Sequence, residues 1–192
     1  DASKSRGLGD VYKRQVDSVL VRLTELYKEK FVPRLLHRLD MATSGIMIFA
    51  KTKRAHKHLQ KQFLNRIIKK TYVALLDGEI PKTEGEINLP LRVNFENRPY
   101  QMVCHQHGKN AITKYKVIKF IKGNTLVNFY PVTGRTHQLR MHASHFKGLN
   151  TPIVGDMLYG RSSNRLHLHA KTISFIHPIE KKEMSFTVEA EF

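Results

Sequence analysis

Short apolar segments closed by turn-forming residues constrain this chain more than any other feature. Thr71 to Leu76 reads as a strand ending at Asp77-Gly78, and Thr113 to Phe120 and Thr125 to Tyr130 flank Lys122-Gly123-Asn124 as a hairpin. The apolar run Ile46 to Ala50, opened by Gly45, predicts a fully buried strand. Residues 166–177 and 183–190 predict two late strands, and Pro81, Gly85, Pro90, Pro99 and Gly108 break residues 81–112 into short extended pieces. Helical spacing occurs in only three places. Val19, Leu20, Leu23, Leu26 and Tyr27 form an amphipathic series that Asp17-Ser18 would cap and Val32-Pro33 would end. Residues 53–66 predict a basic helix with Leu59, Phe63 and Leu64 inward, and His137 to Phe146 a third helix. Strands outnumber helices and are joined by short turns. The expectation is an α+β fold, a single domain with a mixed, largely antiparallel sheet and flanking helices.

Charge narrows the function. Among 192 residues there are 33 Lys and Arg against 16 Asp and Glu, a formal net charge of +17. On a chain with 41% hydrophobic content, enough for a core, this excess points to a polyanionic partner such as RNA, whose phosphates release counterions when neutralised. A merely soluble basic protein remains the plain alternative. Anionic membrane is disfavoured, since no Lys-rich amphipathic helix stands out. One Cys excludes a disulfide scaffold and a Cys-built zinc site. No apolar run nears the ~18 residues of a membrane span. The expected location is the cytoplasm. Residues 1–15, DASKSRGLGDVYKRQ, lack any period and read as a translated sequencing adapter, a non-native segment. Their four basic and two acidic residues contribute +2, which leaves +15 on residues 16–192.

Four polar clusters bear on chemistry. In His37-Arg38-Leu39-Asp40, a carboxylate and a basic pair lie on a loop entering a strand; Asp40 is either a loop cap or a site residue. In Thr133-Gly134-Arg135-Thr136-His137-Gln138-Leu139-Arg140, a buried helix face would aim some of Arg135, His137 and Arg140 into a cleft, the alternative being a solvated basic face. Lys69-Lys70-Thr71-Tyr72 sets an aromatic beside two cations, as base stacking along a phosphate path requires, though Tyr72 also suits plain strand packing. Pro152 to Gly160, with Asp156 and Tyr159, lacks phosphate-loop spacing and by itself suggests only turn chemistry. Eleven His include Cys104-His105-Gln106-His107, His142 with His145, and His167 with His169, but none pairs with a second cluster at zinc spacing. Ser44 is outside any G-x-S-x-G context, so a hydrolase triad is a weak reading.

Taken together and in order, HRLDMATSG at 37–45, KKTYVA at 69–74, TGRTHQLRMH at 133–142, PIVGDMLYG at 152–160 and LHLHA at 166–170 resemble the RluA-type pseudouridine synthases. NRPYQMVC and GKNAIT, within 97–113, are similar to the RluA branch of that family. The resemblance spans essentially residues 17–192 and implies one catalytic domain over 16–192. It implies isomerisation of uridine to pseudouridine in ribosomal or transfer RNA by a monomer, without cofactor or metal. By motif, Asp40 corresponds to the essential aspartate, Tyr72 to the active-site tyrosine, and Arg140 to the arginine paired with that aspartate. Arg38 corresponds to the arginine that displaces the target nucleotide; Lys69, Lys70, Arg135 and His137 are the expected further RNA contacts. Attack on C1′, attack on the base and removal of the 2′ proton all suit Asp40. The family's N-K-P-type strand before the first helix is not found, so a domain short of that strand is expected. The competing reading is an impaired, binding-only RNA module.

Overall fold

The computed structural model describes residues 19–27 and 33–192. The adapter-like segment 1–15, the Asp17-Ser18 cap and Val32 lie outside the described residues. Helix α1 spans Val19–Tyr27. Strands β1 (Arg34–Leu35), β2 (Ser44–Gly45) and β3 (Phe49–Ala50) precede helix α2 (Lys53–Leu64). Then come β4 (Lys69–Leu76), β5 (Glu84–Asn88), β6 (Leu91–Val93), β7 (Gln101–Val103), β8 (Ile112–Ile121) and β9 (Asn124–Pro131). Helix α3 (Gln138–Ser144) is followed by β10 (Leu168–Ile176) and β11 (Glu183–Thr187).

The main sheet has seven strands. Six follow the order β11-β10-β4-β9-β8-β5 in antiparallel ladders, and β2 adds to β10 in parallel. The fold is therefore α+β with a mixed, largely antiparallel sheet, as the turn pattern predicted. At the β8–β9 hairpin Ile121 pairs with Asn124, so the turn is Lys122-Gly123 alone. Both residues have positive φ (50° and 80°), the two-residue geometry whose twist matches paired strands.

The core lies where β4 and β9 meet α3. Ala74, Leu76, Val127 and Phe129 pack with Leu139 and Ala143, and Ile153, Leu166 and Leu168 complete the cluster. On β4 both Val73 and Ala74 are buried, as expected of a central strand covered on both faces. This arrangement positions α3, and with it the residues after Thr133, over the sheet.

Two expectations are corrected. Ile46 to Ala50 is not one buried strand: Ser44–Gly45 pairs with β10, Phe49–Ala50 pairs with β1, and of the run only Ala50 is buried. The chain leaves β10 because Gly45 (φ +113°) abuts the Ala170 backbone, where an added Cβ would lie 2.3 Å from the Ala170 carbonyl oxygen. On α2, Leu59 is buried and Phe63 half-buried, but Leu64 is 77% exposed. Five residues carry it about 140° around the helix from Leu59. Gln62 turns inward in its place; its amide donates to the Ile176 carbonyl (2.7 Å) and accepts from the Ile176 N–H (2.9 Å), acting as a strand edge for β10.

Candidate active site

Asp40 stands on the β1–β2 loop, where its carbonyl closes a turn on the Thr43 N–H (2.9 Å). The loop is stitched at both ends. His37 Nε2 accepts from the Ile48 N–H (3.0 Å), which requires a neutral ring; burial, with help from the Lys70 charge, lowers the His37 pKa to about 4. At the other end Ser44 Oγ bonds His169 Nδ1 (2.9 Å) and accepts from Arg165 (3.1 Å), while His169 Nε2 reaches the Val188 carbonyl. Held so, the Asp40 carboxylate makes no hydrogen bond or ion pair with any described residue. Asp40 is also the sole acid between Glu29 and Asp77.

Three other elements converge on it. Tyr72, on β4 between Phe129 and Ala170, has its phenol pushed up to about 12 by burial and then by the Asp40 charge. The hydroxyl is protonated at neutral pH. Arg140, on α3, and Tyr159, on the loop before β10, also feel the Asp40 charge. His137 precedes α3 in a left-handed conformation (φ 53°) and bonds the Tyr159 hydroxyl through Nδ1 (2.8 Å). The same hydroxyl accepts from the Gln101 N–H on β7 (2.8 Å). Burial lowers the His137 pKa, although Asp40 opposes this. Arg38 is exposed, with its charge felt at His137.

The fork of Arg140 differs from the expected pairing. It closes on Asp156, not on Asp40: Nε donates to Oδ2 (2.8 Å) and Nη2 to Oδ1 (2.6 Å). Asp156 is 1% exposed, and Oδ1 also accepts the Leu158 and Tyr159 N–H groups. Burial would lower the Arg140 pKa, but the Asp156 hydrogen bonds and charge more than offset it. The guanidinium carbon lies 5.1 Å from the centre of the Tyr159 ring. The 152–160 loop is thus more than a turn. It reaches this position because Gly155 (φ +77°) runs against Arg165, whose carbonyl oxygen would be 1.8 Å from an added Cβ.

The remaining predicted contacts divide. Lys70 shares the Tyr72 face of β4, lies near Gly134, and is held below its ordinary pKa by burial. Lys69 alternates to the opposite face and is exposed, so the structure does not bring it to the cleft. Arg135 is at the exposed rim with Nε donating to the Asn110 carbonyl (3.0 Å). Sequence reasoning missed Gln138, whose buried amide makes four bonds, to Thr133, Arg135, Ile112 and Thr113, fixing the loop before α3. It also missed the roles of Asp156 and Tyr159. One signal was present: Arg140 sits between Leu139 and Met141, and Asp156 is the sole acid between Glu96 and Glu180. A buried arginine there had one carboxylate within that long stretch to take. Among the described residues no group of three or more His, Cys, Asp or Glu gathers as metal ligands, and no helix is long and apolar enough to cross a membrane.

Comparison with known proteins gives this geometry a family. Residues 4–145 match the family model described as RNA pseudouridylate synthase. The chain is 43% identical over 185 residues to the dual-specificity RNA pseudouridine synthase RluA of Haemophilus ducreyi, covering 92% of this chain and 81% of that protein. Against the protein of the same name from Vibrio vulnificus it is 44% identical over 186 residues, covering 92% and 72%. Among solved structures, human RNA pseudouridylate synthase domain containing 1 superposes with a TM-score of 0.75 at 28% identity, covering 89% of this chain and 74% of that one. A shared fold, a family match over most of the chain and high identity to these relatives agree: the chain belongs to the RNA pseudouridylate synthase family, isomerases that act on RNA.

Proposed function

We propose that this protein converts specific uridines of ribosomal or transfer RNA to pseudouridine, with Asp40 as the carboxylate that acts on the nucleotide. The observation that carries this reading is an unpartnered carboxylate whose charge reaches a half-buried tyrosine and a buried arginine, the three residues coming from separate elements. A binding-only surface has no use for a free carboxylate turned toward phosphate. The dual specificity in the relatives' name fits more than one RNA substrate.

The target uracil is inaccessible inside a folded RNA and must be extruded into the cleft. Tyr72 then stacks on the base, while exposed Arg38, at the mouth of the cleft, fills the vacated space. The N1–C1′ bond breaks, the uracil turns, and C5 bonds to C1′; the C5 hydrogen leaves as a proton and N1 gains one, so the change is redox-neutral. Asp40 is free to act on the nucleotide because Arg140, which feels its charge, is already forked on Asp156. The basic surface, with Lys70 and Arg135 at the cleft, tracks phosphates. The reading places a monomer in the cytoplasm, where these RNAs reside.

RNA tritiated at uridine C5 tests it, since forming C5–C1′ expels that hydrogen. The wild-type chain should release tritium, and Asp40→Asn should lower the rate by roughly 10²-fold or more at unchanged RNA affinity. A variant keeping a tenth of the parent rate overturns the role of Asp40. RNA binding by the parent with no tritium released leaves only the impaired binding module.

A further inference from the structure

The 152–160 loop is a motif whose structural investment exceeds that of a turn. Its carboxylate is fully buried, collects two backbone N–H groups, and spends both oxygens on one guanidinium. Tyr159 closes a second side of that guanidinium with its ring, and its hydroxyl ties His137 to the Gln101 backbone. Two of the five N–H donors of Arg140 enter the fork. The other three make no hydrogen bond with a described residue, and the Asp40 charge reaches the same group.

We infer that Asp156 is a positioning residue for the isomerisation: it locks Arg140 against the Tyr159 ring so that the free donors meet the substrate beside an unengaged Asp40. This rests on the proposed function. Without the fork, only the Tyr159 ring would hold the guanidinium, and its free donors would lose their fixed place. Tyr159 couples this clamp to the start of strand β7, where its ring meets Tyr100 edge to face (5.6 Å between ring centres).

Asp156→Asn separates this role from simple loop capping. Asn keeps an acceptor for the Leu158 and Tyr159 N–H groups, as Asn and Asp serve equally in caps, but loses the charge and one fork oxygen. In the tritium assay on the full chain, the expected result is a kcat lower by about 30-fold with KM within about threefold, the pattern of a misplaced group. In the Arg140→Gln background, adding Asp156→Asn should cost less than about threefold more, because the carboxylate acts through that arginine. Should Asp156→Asn not fold alone, the Arg140→Gln, Asp156→Asn pair leaves no buried charge, and its kcat must match Arg140→Gln. An Asp156→Asn kcat above a third of the parent, or a pair that loses a further tenfold, overturns the inference while leaving the proposed function standing. A parent that releases no tritium overturns both.

Discussion

The Asp40 and Asp156 loops carry isolated carboxylates in long basic stretches, yet they put them to opposite uses. Asp40 sits on a half-exposed loop with its backbone stitched down and its side chain free. Asp156 sits on a buried loop with every oxygen engaged. Satisfying a buried charge fixes structure, because an unpaired one would be very costly in the interior. Leaving a charge unsatisfied keeps it reactive, and that is tolerable only where water or substrate reaches it. On the proposed function, one loop supplies rigidity and the other chemistry.

Stability should break the symmetry most visibly after turnover itself. Asp156→Ala strands a buried arginine and should cost about 3–5 kcal/mol, read as a large drop in melting temperature. Asp40→Ala should change stability by less than about 0.5 kcal/mol. Equal shifts would mean that the two carboxylates do the same job.

The two histidines beside these regions sharpen the comparison through pH. His37 anchors the Asp40 loop, and His142 on α3 lies two residues from Arg140, bonding Thr113 Oγ1 and the Leu89 carbonyl. Burial lowers both to about 4, from about 6.5 in the unfolded chain. Between those values the unfolded state takes up protons that the folded rings refuse. Stability therefore holds above about pH 6.5 and falls as pH drops from there to about 4. Chemical denaturation across that window should show a slope, reduced in His142→Gln; an unchanged slope in that variant would show that the ring is not held neutral.

Smaller effects are expected on β4. Because the Tyr72 hydroxyl stays protonated and the role proposed for the ring is stacking, Tyr72→Phe should lower kcat by less than about fivefold, whereas a loss near 10²-fold would assign the hydroxyl a proton-transfer step. Lys69→Ala, on the face turned from the cleft, should change RNA affinity less than Lys70→Ala; the reverse order would move the phosphate path across the sheet.

Much of the fold was legible because it is local. Turn residues and β-rich runs mark β4, β8, β9, β10 and β11, and each period can be read without knowing its neighbours. The Ile46–Ala50 run defeated that reading, since its apolar character said nothing of a glycine pressed on β10. Leu64 failed for a related reason: an apolar side chain at a helix end faces inward only if something covers it, and here Gln62 and Phe63 face the sheet. The site was legible as residue types in order. Asp40, Tyr72 and Arg140 stand out by motif, and the structure brings Tyr72 and Arg140 within reach of the Asp40 charge.

By itself the sequence determined the α+β class and the basic excess, since these follow from periodicity and charge count, and its motifs singled out Asp40, Tyr72 and Arg140 as candidates. Only the tertiary structure decided which carboxylate Arg140 takes. Three facts of distance, the approach of Gly155 to Arg165, the burial of α3 and the stitching of β2 to β10, bring Asp156 under the guanidinium and leave Asp40 open. Ion pairing is settled by a few ångströms between residues far apart in the chain, and spacing along the sequence carries no record of that separation.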